Sequence, residues 1–213
     1  YRPSTDRSPR MQVERTDYGF HYAAIRHPIK QPALNDYFRV TEYIAPFTCL
    51  IPPNSSYNVT TVVVPIDDEN SMFNFIAWGG ESCPDTVEWR RFNHSVPGED
   101  LDENWVSKRQ PENKFLQDRA LMKQGNFTGV PGIPNQDIVM WVSMGAIVDR
   151  TTDRLAASDM AVVEFRKLMV DAAKTMASGG DALGSASTLR HTQIKSYEGV
   201  HSKETDWKTL CRN

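Results

Sequence analysis

The hydrophobic period of this chain changes once, and the change restricts its fold class more than any other feature. Through the first eighty residues apolar and β-branched side chains alternate in short runs. From Ser158 to Ala177 they recur at helical spacing, with Val162, Phe165, Leu168, Met169, Ala172 and Met176 on one stripe. The short runs are Met11–Thr16, Phe20–Ile25, Tyr37–Leu50, Val59–Ile66 and Met72–Trp78. Tyr18-Gly19, Pro52-Pro53-Asn54 and the polar turn Asp67–Asn70 divide them. Strands first and one long amphipathic helix late predict an α+β domain, with an antiparallel meander curled around that helix. Ser158 is the expected helix cap and Gly179-Gly180 the expected stop.

Between these regions the chain changes character. Pro84–Trp89 reads as a helix start, Glu99–Asn113 as a long surface excursion, and Lys114–Gln124 as a second helix. Next come three glycines and two prolines between Gly125 and Pro134, followed by the apolar run Ile138–Met144. Pro134 opening a helix, with Asn135 and Asp137 in its first turn, is a well-formed N-terminal pattern. Residues 1–180 read as one domain. The Ser-, Gly- and Lys-containing tail, 181–213, reads as an extension over its surface.

Composition narrows the function classes. The 213 residues carry 24 basic and 27 acidic side chains, so the net charge is -3 and no global basic field exists for nucleic acid or anionic lipid. No apolar stretch is long enough to span a bilayer. Cys49, Cys83 and Cys211 lack the spacing of a zinc or iron–sulfur site and match a reducing compartment. Sequons at Asn54, Asn58, Asn93 and Asn126 would suit a secreted glycoprotein, but the opening residues lack the apolar core of a signal peptide. The expected location is cytoplasmic. A chain beginning at Tyr1 is expected to be the C-terminal part of something longer.

Asp137 is the most informative residue. It sits among Ile133, Ile138, Val139, Met140 and Trp141, and an ionised carboxylate in such company must be hydrogen-bonded, paired or bound to a metal. Two roles stay open from the residues alone, a cap on its own helix or a ligand facing a cleft. Asp149-Arg150 fits a structural ion pair. His21 and His27 are six apart, roughly 20 Å along a strand, and cannot share a metal without a sharp bend. His94, His191 and His201 read as surface residues.

Phe115–Arg119, Phe127–Asp137, Met144–Arg150 and Ser158-Asp159, together with Arg7–Arg10 and Val13–Gly19, resemble the catalytic half of Rieske-type ring-hydroxylating oxygenases. The likeness leans to the phthalate-dioxygenase and vanillate-demethylase branch and covers most of residues 7 to 170. It implies a helix-grip, START-like catalytic domain with a mononuclear Fe(II) held by two histidines and one carboxylate, the position matched by Asp137. It also implies a Rieske 2Fe-2S cluster in a preceding domain, electrons from NADH through a partner reductase, and a homotrimer or trimer of trimers that uses O2 on an aromatic substrate. Asn135 and Gln136 become candidates for orienting the iron ligand. Phe127, Ile133 and Trp141 become candidates for lining the substrate cleft, and Arg26, Arg39 and Arg119 for pairing with an aromatic acid. The family's histidine pair and its cluster ligands do not occur in this chain, so two iron ligands are expected upstream of Tyr1. The expected reaction is hydroxylation of a phthalate-like carboxylate; O- or N-demethylation is the alternative within the family. A metal-free START-like module binding an aromatic or lipid ligand is the alternative outside it.

Overall fold

Strands Gly19–Arg26 (β2) and Asn35–Ile44 (β3) form the centre of the fold, because they carry most of its buried side chains. Their register pairs Phe20 with Tyr43, Ala23 with Val40, and Ile25 with Phe38. Alternation then sends the first pair to one face and the other two to the opposite face. A computed structural model describes residues 3–53 and 55–211, so Tyr1 and the sequon at Asn54 lie outside the described residues.

The sheet is antiparallel and runs in chain order: Arg10–Thr16 (β1), β2, β3, Thr48–Ile51 (β4), Asn58–Pro65 (β5) and Ser71–Trp78 (β6). The meander expected from the turn residues is therefore present. A seventh strand, Tyr197–Ser202 (β7), differs from expectation. It pairs with Asn35–Val40, while β4 takes Glu42–Ile44 of the same edge, so two strands divide one side of β3 between them. The tail is consequently part of the sheet and supplies buried Trp207 to a core with Ala23, Ile25, Phe38 and Val40. Its strand is short and polar and carries little local signal.

The long helix is Met160–Ala177 (α4). Leu168 packs on Phe20 and Tyr43, with Val13, Tyr22, Cys49 and Met169 around them, which makes the helix-bearing face of the sheet. Arg15 on β1 reaches Glu164 and Asp171 across the seam. The start differs from expectation: no side chain caps the helix, and Asp159 instead accepts from the Ala156 N–H at 2.8 Å. The stop is as expected, since Gly179 takes φ 82° and Gly180 N–H bonds to Thr175 O.

Contacts divide the chain into two compact units. The sheet, α4 and the tail make the first, from Tyr1–Val64, Met72–Glu81 and Asp153–Asn213. The second comprises Pro65–Ser71 and Ser82–Thr152. It holds helices Thr86–Asn93 (α1), Arg119–Lys123 (α2) and Ile133–Ser143 (α3). A capping box starts α1: Asp85 accepts from Val87 and Glu88 N–H groups, and Glu88 accepts from Asp85 N–H. The single helix expected over Lys114–Gln124 is absent. Lys114, Phe115 and Leu116 all take positive φ, which breaks the path into a 3-10 turn over Pro111–Leu116 and the short α2. No helix among the described residues is long and apolar enough to cross a membrane.

Candidate functional site

The loop ahead of α3 is shaped by glycine at two positions. Gly129 (φ 71°) lies where a Cβ would come within 2.5 Å of Asp118 O, and the Asp118 N–H bonds back to Gly129 O at 2.9 Å. At Gly132 (φ 86°) a Cβ would meet Asn93 O at 2.4 Å. Both close approaches exclude any side chain and join the loop to α2 and to the end of α1. Asn126 closes the start of the loop, its Oδ1 accepting from the Thr128 and Gly129 N–H groups.

Asn135 completes the anchorage. It is buried, and its Nδ2 lies 3.0 Å from Pro131 O, 3.0 Å from His94 O and 3.3 Å from Asn93 O. Both amide hydrogens are committed to backbone carbonyls, so this side chain seats α3 on the end of α1.

Asp137 lies five residues into α3, beyond the first turn, and the helix begins at Gly132 without a side-chain cap. The capping role left open by sequence does not apply. The Asp137 side chain is exposed, and no hydrogen bond or ion pair reaches it among the described residues. Partial burial against apolar neighbours nonetheless pushes its carboxyl above the usual carboxylate range. Met140 and Trp141 follow at three and four residues, on the same side of the helix. Both remain largely exposed, as do Ile133 and, at 92%, Phe127. Gln136 is half-buried.

Other sequence candidates fall elsewhere. Arg39 is committed to Glu198 at 3.7 Å and Pro52 O at 3.3 Å. Arg119 borders an open cavity of about 710 Å³ with Lys114, Phe115, Gln117 and Asp118. Asp149 accepts from the Thr151 N–H and hydroxyl, which hold it below the usual carboxylate range. His27 meets Asp6, and His201 is a half-buried member of β7 beside Tyr197 rather than a surface residue. No group of three His, Cys, Asp or Glu among the described residues is arranged to hold a metal ion. Asp137 is therefore not part of any three-residue metal-binding cluster among the described residues.

Residues 1–212 match the description of the LigXa C-terminal domain-like family. The chain belongs to that family. Over 208 residues, 97% of its length, it is 51% identical to the phthalate 4,5-dioxygenase oxygenase subunit of Pseudomonas putida, covering 47% of that protein. Over 220 residues it is 30% identical to the 3-chlorobenzoate-3,4-dioxygenase oxygenase subunit of Comamonas testosteroni, covering 95% of this chain and 50% of the other. As a LigXa C-terminal-like domain it spans about half the length of these curated relatives. The resemblance to the catalytic half of Rieske-type oxygenases is upheld at the level of family.

The network missed by sequence reasoning lies on the other unit. Glu42, fully buried on β3, meets Tyr18 and His21. The signal was present, since Glu42 is the one acidic residue between Tyr37 and Leu50. Like Asp137, Glu42 is an acidic side chain set in an apolar run, with Phe38, Val40, Tyr43 and Ile44 around it in sequence.

Proposed function

We propose that the intact protein is the terminal oxygenase component of a Rieske-type system that hydroxylates a phthalate-like aromatic carboxylate in the cytoplasm. The 51% identity to a phthalate 4,5-dioxygenase oxygenase subunit across 97% of the chain carries this reading. Both relatives are named as dioxygenase subunits acting on aromatic carboxylates, which favours dioxygenation over demethylation. A mononuclear Fe(II), when bound, supplies O2 activation, with electrons arriving from NADH through a partner reductase and a Rieske 2Fe-2S cluster. The protein works as a homotrimer or trimer of trimers on this reading.

This chain's own contribution follows from α3. Asp137 offers a carboxylate oxygen that no other described residue engages, and a cation beside it would reverse the burial penalty that raises its proton affinity. Asn135 acts one step back, holding the start of α3 so that Asp137 is presented from a seated helix. Trp141, one turn along, with Ile133 and Phe127, contributes apolar surface for an aromatic ring. The two remaining ligands are histidines from outside this chain, as the family pattern implies.

In the intact protein supplied with a reductase and NADH, Asp137→Ala abolishes product formation and lowers mononuclear iron while the visible spectrum of the Rieske cluster persists. Loss of the cluster signal together with activity would make Asp137 a structural residue and remove the reading of this site.

A further inference from the structure

Three strands and the end of the chain enclose a chain of charges on the sheet face opposite α4. Glu42 is 0% exposed and His21 3%. The Tyr18 hydroxyl donates to Glu42 Oε2 at 2.6 Å. The two ring nitrogens of His21 face carboxylates on opposite sides: Nδ1 lies 3.3 Å from Glu42 Oε1, and Nε2 lies 2.9 Å from Glu14 Oε2. Glu14 Oε1 in turn receives Lys208 Nζ at 3.0 Å. The Trp207 ring covers His21 at 4.8 Å between centroids and donates its N–H to Gln12 Oε1.

A neutral imidazole has one donor and one lone pair, so it can satisfy one of these carboxylates and must present its lone pair to the other. Only the imidazolium donates to both. In that form positive His21 and Lys208 offset negative Glu42 and Glu14, and every charge has a partner. Three elements of the closure, Trp207, Lys208 and Cys211, come from the last described residues.

We propose that protonated His21 is a clasp that fastens the segment Asp206–Cys211 over this face of the sheet, and that the segment loosens as pH rises and the clasp loses its charge. Glu14 and Gln12 from β1, Tyr18 from the β1–β2 turn, Glu42 from β3, and Lys208 and Cys211 from the tail are the polar groups that face it. Burial, followed by the Glu42 carboxylate, pushes both the Tyr18 phenol and the Cys211 thiol well above their ordinary ranges, so both keep their protons. Hydrogen bonds from His21 and then Lys208 hold Glu14 below its usual range, so it stays ionised. Burial of His21 opposes its charge, but the hydrogen bonds to Glu42 and Glu14 outweigh it and raise its proton affinity. The stabilisation is therefore complete below the ordinary histidine range, near 6.5, and is lost as pH climbs through the raised value.

Hydrogen exchange of residues 203–211, followed by mass spectrometry on the intact protein from pH 5.5 to 9 and corrected for intrinsic exchange rates, tests the clasp. Protection is expected to fall by at least about tenfold, with a midpoint above 6.5. His21→Gln removes the fall and leaves protection low at every pH. Glu14→Gln, a change at the solvent side that spares the core, moves the midpoint to lower pH. A flat wild-type profile, or an unchanged fall in His21→Gln, overturns the proposal. Should His21→Gln not fold, an unchanged midpoint in Glu14→Gln overturns it equally.

Discussion

Asn135 offers a quantitative test of what seats α3, because one substitution preserves its shape while reversing its hydrogen-bonding sense. Its two amide hydrogens serve the carbonyls of Asn93, His94 and Pro131, at 3.3, 3.0 and 3.0 Å. Two such bonds are worth about 1 kcal/mol each, and the abandoned carbonyls are left partly buried. Asn135→Ala removes both bonds but gains about 0.5 kcal/mol of helix propensity, for a net loss of about 2 kcal/mol. Asn135→Asp forfeits the same bonds and aims a buried carboxylate at three carbonyl oxygens, a further cost of roughly 1–3 kcal/mol. Urea unfolding of the second unit, followed by exchange-detected local stability, reads the order directly. With a slope of about 2 kcal/mol per molar, the midpoint falls by about 1 M for the alanine variant and more for the aspartate. An aspartate variant as stable as wild type would refute the anchoring role. It would point instead to a side chain turned to solvent, where an added acceptor is harmless to the fold.

Leu168→Ala opens a cavity against Phe20 and Tyr43 on the helix-bearing face. The expected cost is about 2–5 kcal/mol, seen as a melting temperature lower by roughly 10 °C, and a shift near zero would mean that α4 does not seal this face. Burial pushes the Cys49 thiol up to about 11, so roughly one molecule in a thousand carries the thiolate at pH 8. Iodoacetamide should therefore leave Cys49 intact in the folded protein and modify it in urea; rapid labelling of the native protein would contradict its burial beside Tyr43.

Local periodicity made much of this fold legible. β1 alternates, β2, β5 and β6 are short runs rich in β-branched and aromatic residues between turn markers, α4 has an unbroken stripe, and Pro134 behind a glycine loop marks α3, so each could be placed from its own residues. What was not legible depends on distant partners. The strand Tyr197–Ser202 is short and polar, and exists because half of one edge of β3 is free to receive it. The helix expected over Lys114–Gln124 has adequate propensity, yet three successive residues turn left-handed there while Asp118 is tied to Gly129. At the candidate site, Asp137 was singled out by its apolar neighbours, and its distance from the helix start then excluded a capping role. Asn135 was placed beside the candidate iron ligand by sequence adjacency alone; its direction followed from the position of α1, which no local pattern reveals.

The divided edge of β3 also sets an order of events on the ribosome. Tyr37 bonds to Glu198 across a separation of 161 residues, and all of Ser82–Thr152 is synthesised between them. The central strand therefore waits with half of one edge unpaired until Tyr197–Ser202 has been translated. Non-local pairing of this kind is slow, and an unpaired edge is prone to wrong partners. A nonsense mutation between α4 and Tyr197 would thus remove none of the candidate site residues Asn135, Gln136 and Asp137. It would still leave the middle of the sheet open, making the codons of Tyr197–Ser202 as important to the yield of folded protein as those of the core.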